Sequence, residues 1–328
     1  MQKQLFAAAA LTFTLAAAAG YRSYSTNKEK ELESQKAAVT AEWQKRLYTE
    51  MPMTIKTNKT STLELAREIF EDIRTDGKLG IRYRDSSDVK MMPPKSQAKV
   101  PLERLIKTPA ELLKTKIGDC SDMAHAFVWI FRKLATDGRA LFVEVYRNEA
   151  GKEMGKGHAC VAILTLKDGG EYKYGRFEND AAFRSEVLRK AGVTDRSDLS
   201  LVLIDPATGK FGAQYTDVRL LNIREELASF LFQRGTMCTL ISKAECTDES
   251  FHLATLLDPD SPTGNLMRGI DASERWMDRK AISLMKRAAA LKPDWAEPYG
   301  QMSDHYARRK KWNKAQGYAN RYNGMIRK

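Results

Sequence analysis

With 328 residues the chain is long enough for one large domain or two ordinary ones, and a sizeable buried core follows from that size. A composition of 43% hydrophobic and 29% charged residues, with 20 Gly and 10 Pro, excludes collagen-like, largely disordered and polytopic membrane classes. Four cysteines are too few for a disulfide-built scaffold, no CxxC pair suggests a zinc site or redox dithiol, and the net charge of +12 points to an anionic partner or surface.

Met1–Gln4 carries one positive side chain, Lys3, and Leu5–Gly20 is an uncharged run of Ala, Leu, Phe and Thr ending in Gly. Ala17-Ala18-Ala19 offers the small-x-small pattern read by a signal peptidase. As a helix the run would reach about 24 Å, short of the roughly 30 Å hydrocarbon core. Residues 1–20 therefore read as an export signal, with an uncleaved anchor ending at Tyr21 and Arg22 as the alternative. The location expected is periplasmic or secreted. Residues 21–60 are polar and charged and read as a stalk.

From Ser61 the pattern tightens. Leu63, Ala66, Ile69, Phe70 and Ile73 fall mostly three and four apart, with Ser61 or Thr62 as N-cap and Gly77 as stop, which predicts an amphipathic helix. Asp85–Val100 is loop-like, further helices follow from Pro101 and from near Pro109, and an apolar helix starts at about Cys120 and runs through Phe127–Leu134. After Gly138 the texture changes to strands: Ala140–Tyr146, His158–Leu166 and Glu171–Tyr174, with Asp168-Gly169-Gly170 as a hairpin turn. Residues 176–198 are polar and helical and look like an insertion. Leu199–Ile204 is a short buried strand closed by Asp205-Pro206. Helices first and strands after predict an α+β domain over 61–225. Residues 226–261 read as a connector. Cys238 and Cys246 lie in it, eight apart, and in an oxidising compartment would close a short loop; two buried thiols are the alternative.

Near the C-terminus one pattern recurs. Ala281 and Ala315 are 34 residues apart, framed by Gly269, Ala288 and Pro293 and then by Tyr299, Met302 and Tyr306. Residues 262–328 resemble tetratricopeptide repeats on these positions, with Ser303 where that family usually has Gly. Two units are fewer than such arrays need to stand alone, so they are expected to pack on the preceding domain. This segment holds 15 Lys/Arg and 6 Asp/Glu, nine of the twelve net charges, with Arg308-Arg309-Lys310-Lys311 the densest run. An anionic envelope surface or an acidic protein is the partner expected there, and export argues against nucleic acid.

The stretch that carries chemistry is Gly118-Asp119-Cys120-Ser121-Asp122-Met123-Ala124. Cys120 would open an apolar helix, where unpaired N–H groups and the helix dipole favour a thiolate, the nucleophilic form. A nucleophilic Cys needs a base, and Gly157-His158 opens a strand 38 residues later. A third group should hold the imidazole tautomer, and Asp205 at the end of a later strand can do so; Asn179 and Asp180 are rivals.

GDCSDMA, GHACVAI and LIDPA together resemble the Cys, His and Asp motifs of the transglutaminase-like cysteine peptidase superfamily, over about 61–210. The resemblance implies a papain-like α+β core with Cys120 as nucleophile, His158 as general base and Asp205 as its orienter. It implies cleavage or exchange of amide bonds in a peptide or protein through a thioester, without metal or organic cofactor. Two departures stand out. Asp205 follows His158 by 47 positions, more than is usual, and Cys160 stands where the family often has Trp. Cys160 should face the same way as His158, as a buried thiol or as a disulfide partner that would silence Cys120. Asp122 is placed to position the loop or substrate, and His125 with Asp122 is a weak metal-site candidate. The competing function is a non-catalytic envelope binding or scaffold protein that uses the basic repeats.

Overall fold

The computed structural model describes residues 28–45, 61–83, 108–135, 139–166, 172–240 and 244–327. The expected signal (1–20), the loop at 85–100 and the Asp168-Gly169-Gly170 turn lie outside the described residues. The chain divides into two units, 1–45 and 46–328. In the first, residues 28–45 form helix α1, where Lys36 Nζ pairs with Glu33 at 2.9 Å. No helix among the described residues is long and apolar enough to cross a membrane.

In the second unit the three-and-four spacing gives α2 (Thr62–Ile73). It is capped by Ser61 and buries Leu65, Ala66, Ile69, Phe70 and Ile73 on one side. Strand β1 (Arg82–Tyr83) pairs in parallel with β2 (Ile117–Gly118), which follows helix α3 (Pro109–Thr115). Helix α4 (Cys120–Leu134) is buried at every position from Asp122 to Phe131. A helix apolar on all sides must be surrounded, and this one is the centre of the domain.

The sheet is wholly antiparallel, in the order β6-β5-β4-β3-β7, from β3 (Arg139–Arg147), β4 (Glu153–Leu166), β5 (Leu199–Asp205), β6 (Lys210–Phe211) and β7 (Asp217–Leu221). Alternation along each strand makes two apolar faces. Phe142 points to α4, where it stacks on His125 with ring centroids 4.2 Å apart. On the other face Val143, Val145, Cys160, Ala162, Leu201 and Leu203 meet Phe177 of α5 (Gly175–Asn179) and Phe183, Val187 and Leu188 of α6 (Ala181–Ala191). Residues 176–198 are thus the covering layer of one sheet face and not an appended insertion. The strand expected at 171–174 is absent from its described part, 172–174. There Tyr174 N donates a single bond to Leu201 O, and the chain turns into α5.

The segment read as a connector is two packed helices, α7 (Ile223–Leu240) and α8 (Ala244–Leu257). Cys238 and Cys246 are disulfide-bonded across their junction. Two helical hairpins follow, α9 (Pro262–Glu274) with α10 (Asp278–Leu291), and α11 (Glu297–Arg308) with α12 (Trp312–Ile326). Two bonds of their turns repeat at an offset of 34. Trp276 N donates to Ser273 O and Met277 N to Ala272 O, as Lys310 N does to Ala307 O and Lys311 N to Tyr306 O. Trp276 and Lys310 both take positive φ, 63° and 57°.

The hairpins dock on the sheet, as their small number requires. Tyr146 of β3 is buried with Leu266, Met285, Trp295 and Met302, and its ring meets Trp295 edge-on at 5.2 Å. Beside it the half-buried Arg219 guanidinium reaches Glu144 (3.2 Å), Glu225 (3.5 Å) and Asp258 (2.7 Å), which ties β3, β7, α7 and the end of α8 together. Burial opposes the Arg219 charge, but Glu144 and Asp258 hold it firmly protonated.

Gly264 sets how closely α9 approaches α7, since a Cβ there would lie 2.1 Å from the Phe232 ring. Gly264→Ala is expected to destabilise the protein by about 1–3 kcal/mol through overpacking. Gly317→Ala, where a Cβ meets open space, should be neutral or stabilise by up to about 1 kcal/mol. Urea denaturation of the two variants checks the contrast.

Candidate functional site

Gly118 closes β2, and a Cβ on it would press within 2.5 Å of Leu112 and 3.1 Å of Asp122, so the residue before Asp119 has no room for a side chain. Asp119 then starts α4 as N-cap. Its Oδ1 accepts from Ser121 N and Asp122 N, both at 3.0 Å, and Asp122 Oδ2 accepts Asp119 N at 3.1 Å. Asp122 positions the loop in this way: its carboxylate belongs to the helix cap. Cys120 is the first helical residue, half-buried, with a free thiol. Its own N–H lies in the first turn, where an α-helix supplies no acceptor.

From α7, Gln233 Nε2 donates to Ser121 Oγ at 2.7 Å and steadies the residue after the thiol. From β1, paired beside Gly118, Tyr83 places its hydroxyl in hydrogen-bonding contact with Cys120. Burial and the neighbouring Cys120 and Asp119 push the Tyr83 phenol well above its ordinary value, so it stays a donor.

His158 comes from β4, opposite Val145 of β3. Its Nε2 lies 2.7 Å from Asp205 Oδ2, and its ring is within hydrogen-bonding contact of Cys120. With Nε2 engaged by the carboxylate, Nδ1 is the nitrogen left for the thiol. Burial works against the imidazolium, but the bonds to Asp205 and Cys120 override it and raise His158 to about 10.

Asp205 ends β5 and is fully buried. Its Oδ1 accepts Ala207 N at 3.0 Å and Thr208 N at 3.1 Å, an Asx-type turn written into Asp205-Pro206-Ala207-Thr208. Its Oδ2 accepts Thr208 Oγ1 at 2.7 Å and the Tyr215 hydroxyl in addition to His158. Burial would raise the carboxyl, but the bonds from His158, Tyr215 and Thr208 bring it below its ordinary value, so it is ionised. Thr75, just past the end of α2, holds the same turn from outside, through N to Pro206 O and Oγ1 to Ala207 O, both at 3.0 Å.

The three residues singled out from sequence therefore meet in space. Their rivals do not join them: Asn179 donates to Gly175 O, and Asp180 caps α6. Cys160 is fully buried and unpaired on the α5–α6 face of the sheet. His125 is sealed in an aromatic stack with Trp129 and Phe142, 3.8 Å from the buried Glu226. Among the described residues no group of three or more His, Cys, Asp or Glu side chains is placed to hold a metal ion. Tyr83, Thr208, Tyr215 and Gln233 were not singled out from the sequence, and only Thr208 carried a local signal, its place in the Asp-Pro turn.

Comparison of the chain with protein-family models gives no match, and no curated protein matches its sequence. The case for a function rests on this geometry alone.

Asp205→Ala would leave the charged ring of His158 and four further donor groups without their acceptor, and is expected to destabilise the fold by about 3–5 kcal/mol. The raised His158 pKa stabilises the folded chain in full below the ordinary value of 6.5, and this contribution is lost as pH rises through about 10. Melting temperatures across that range should therefore fall more steeply for the wild type than for Asp205→Ala.

Proposed function

We propose that the chain is a thiol-dependent hydrolase of amide bonds in peptides or proteins, with Cys120 as nucleophile on a papain- or transglutaminase-like core. The observation that supports this most is the His158–Asp205 pair at 2.7 Å, fixed on two strands, with its free ring nitrogen turned to a thiol at a helix N-terminus.

The chemistry follows from those positions. The Cys120 thiolate attacks the carbonyl carbon, and the developing oxyanion takes hydrogen bonds from the Cys120 N–H and the Tyr83 hydroxyl. The protonated His158 gives its Nδ1 proton to the departing amine as the C–N bond breaks, which leaves a thioester on Sγ. A water then loses a proton to the neutral ring and attacks the thioester, and the acid leaves as the thiol is restored. Throughout, Asp205 holds the tautomer and offsets the ring's charge. An amine in place of water would give acyl transfer. Export to the periplasm or beyond, with residues 1–20 as signal, accords with the Cys238–Cys246 disulfide, which belongs to an oxidising compartment.

Alkylation by iodoacetamide, followed by peptide mass between about pH 5 and pH 9, tests the reading. Cys120 should react faster at pH 6.5 than an ordinary thiol, and His158→Ala should slow it by roughly tenfold or more. A Cys120 that is inert, or equally reactive in both proteins, would leave a binding or scaffold protein as the better reading.

A further inference from the structure

The C-terminal hairpins border an open, shallow groove of about 490 Å³ between α10, α11 and the start of α12. Four cations line it: Arg279 and Lys286 from α10, and Lys311 and Lys314 from the start of α12. All four are exposed, and none forms a salt bridge among the described residues. Five basic residues nearby, Arg275, Arg287, Lys292, Arg308 and Arg309, each pair with a carboxylate, while Lys280 and Lys310 are exposed and form no salt bridge among the described residues. The one acid in the groove wall, Asp278, is already bonded to Arg309 Nε at 2.9 Å. Burial and the adjacent Arg309 keep His305 from adding a charge near neutral pH. Like charges gathered without counterions repel one another, and an anion entering the groove relieves that repulsion.

We propose that this groove is a docking site for an acidic stretch of polypeptide. The cations converge on a concavity from two helices, where a membrane surface would be met by cations projecting to one plane. Ile282 and Tyr306 supply apolar wall between them, as peptide side chains need. Tyr306 is engaged by a stack on Tyr318 (5.6 Å, 8° between planes) and by Lys314 Nζ at 5.5 Å, so it is no open platform for a nucleobase. Taken with the proposed amide hydrolysis, on which this part rests, the acidic stretch would belong to the substrate. A groove held rigidly to the catalytic half through Tyr146 and Trp295 would raise the local concentration of the bond to be cut.

The test is fluorescence anisotropy of the full chain with a labelled Asp/Glu-rich decapeptide at about 50 mM salt, alongside a Ser/Gly decapeptide and vesicles containing anionic lipid. The acidic peptide should bind, and Lys286→Glu with Lys314→Glu should weaken it by at least about tenfold. Lys286→Gln with Lys314→Gln should give a smaller loss in the same direction, and matched circular dichroism melts show that the variants fold. The proposal is overturned if the acidic peptide binds no better than the neutral one, if the charge reversals leave its affinity unchanged, or if only vesicle binding responds to them. Because binding is read without turnover, in Cys120→Ala as well as wild type, a failure here is distinct from a failure of Cys120 to react.

Discussion

A carboxylate removed from water must be given partners, and Asp205 receives more of them than any other group near the site. Its own turn supplies two backbone amides and a hydroxyl, Tyr215 supplies another hydroxyl, and β4 supplies the imidazole. Each donor comes from a segment that must be in register for the bond to form. Satisfying this one charge therefore sets the end of β5, the pairing of β5 with β4, and the approach of the loop that bears Tyr215. Thr75 extends the same requirement to α2, which packs on α4. The thiol, the ring and the carboxylate are brought together by what the carboxylate demands of the fold.

The second organising element is α4, whose burial on all sides fixes the position of Cys120 at its first residue. The sheet holds it through Phe142 and His125, and α7 holds it through Glu226, which meets Arg132 Nη1 at 2.7 Å, and through Gln233 at Ser121. Helix α7 in turn bears the hairpins through Phe232 and Gly264. The sheet-bearing half and the C-terminal hairpins thus share a helix as well as an interface.

Much of this was legible in the residues. The apolar spacing of Leu63, Ala66, Ile69, Phe70 and Ile73 marks α2, although Leu65 is buried in it and Leu63 only half-buried, and the Gly-Asp-Cys start of α4 follows from capping. The 34-residue recurrence anticipates two hairpins that resemble one another down to two of their turn hydrogen bonds. Cys120 and Asp205 could be named because each sits at an element's end with a cap or turn beside it, whereas His158, expected to open its strand, lies inside β4, which begins at Glu153. Helix α7 escaped notice because Leu227, Ala228, Phe230, Leu231 and Phe232 are buried nearly in succession, so no one-sided period marks it. Tyr83 and Tyr215 escaped because nothing local distinguishes a tyrosine that will meet the Cys120–His158–Asp205 cluster from one that fills a core. Their roles come from strand pairing and chain crossing, which short-range patterns do not encode.

The placing of the four cysteines has a consequence for how the chain matures. Cys120 is a free thiol, yet the disulfide between Cys238 and Cys246 calls for oxidation in the same molecule. In an unfolded chain the ease of closing a loop falls as about the 3/2 power of its length. Cys238 and Cys246 are eight residues apart, whereas Cys120 is 40 from Cys160 and 118 from Cys238. On that scaling the native bridge outpaces the first wrong one by roughly tenfold and the second by roughly fiftyfold. Folding then hides Cys160 in the sheet and leaves one thiol in reach of solvent. Short spacing acts here as a built-in chaperone for the free thiol of Cys120.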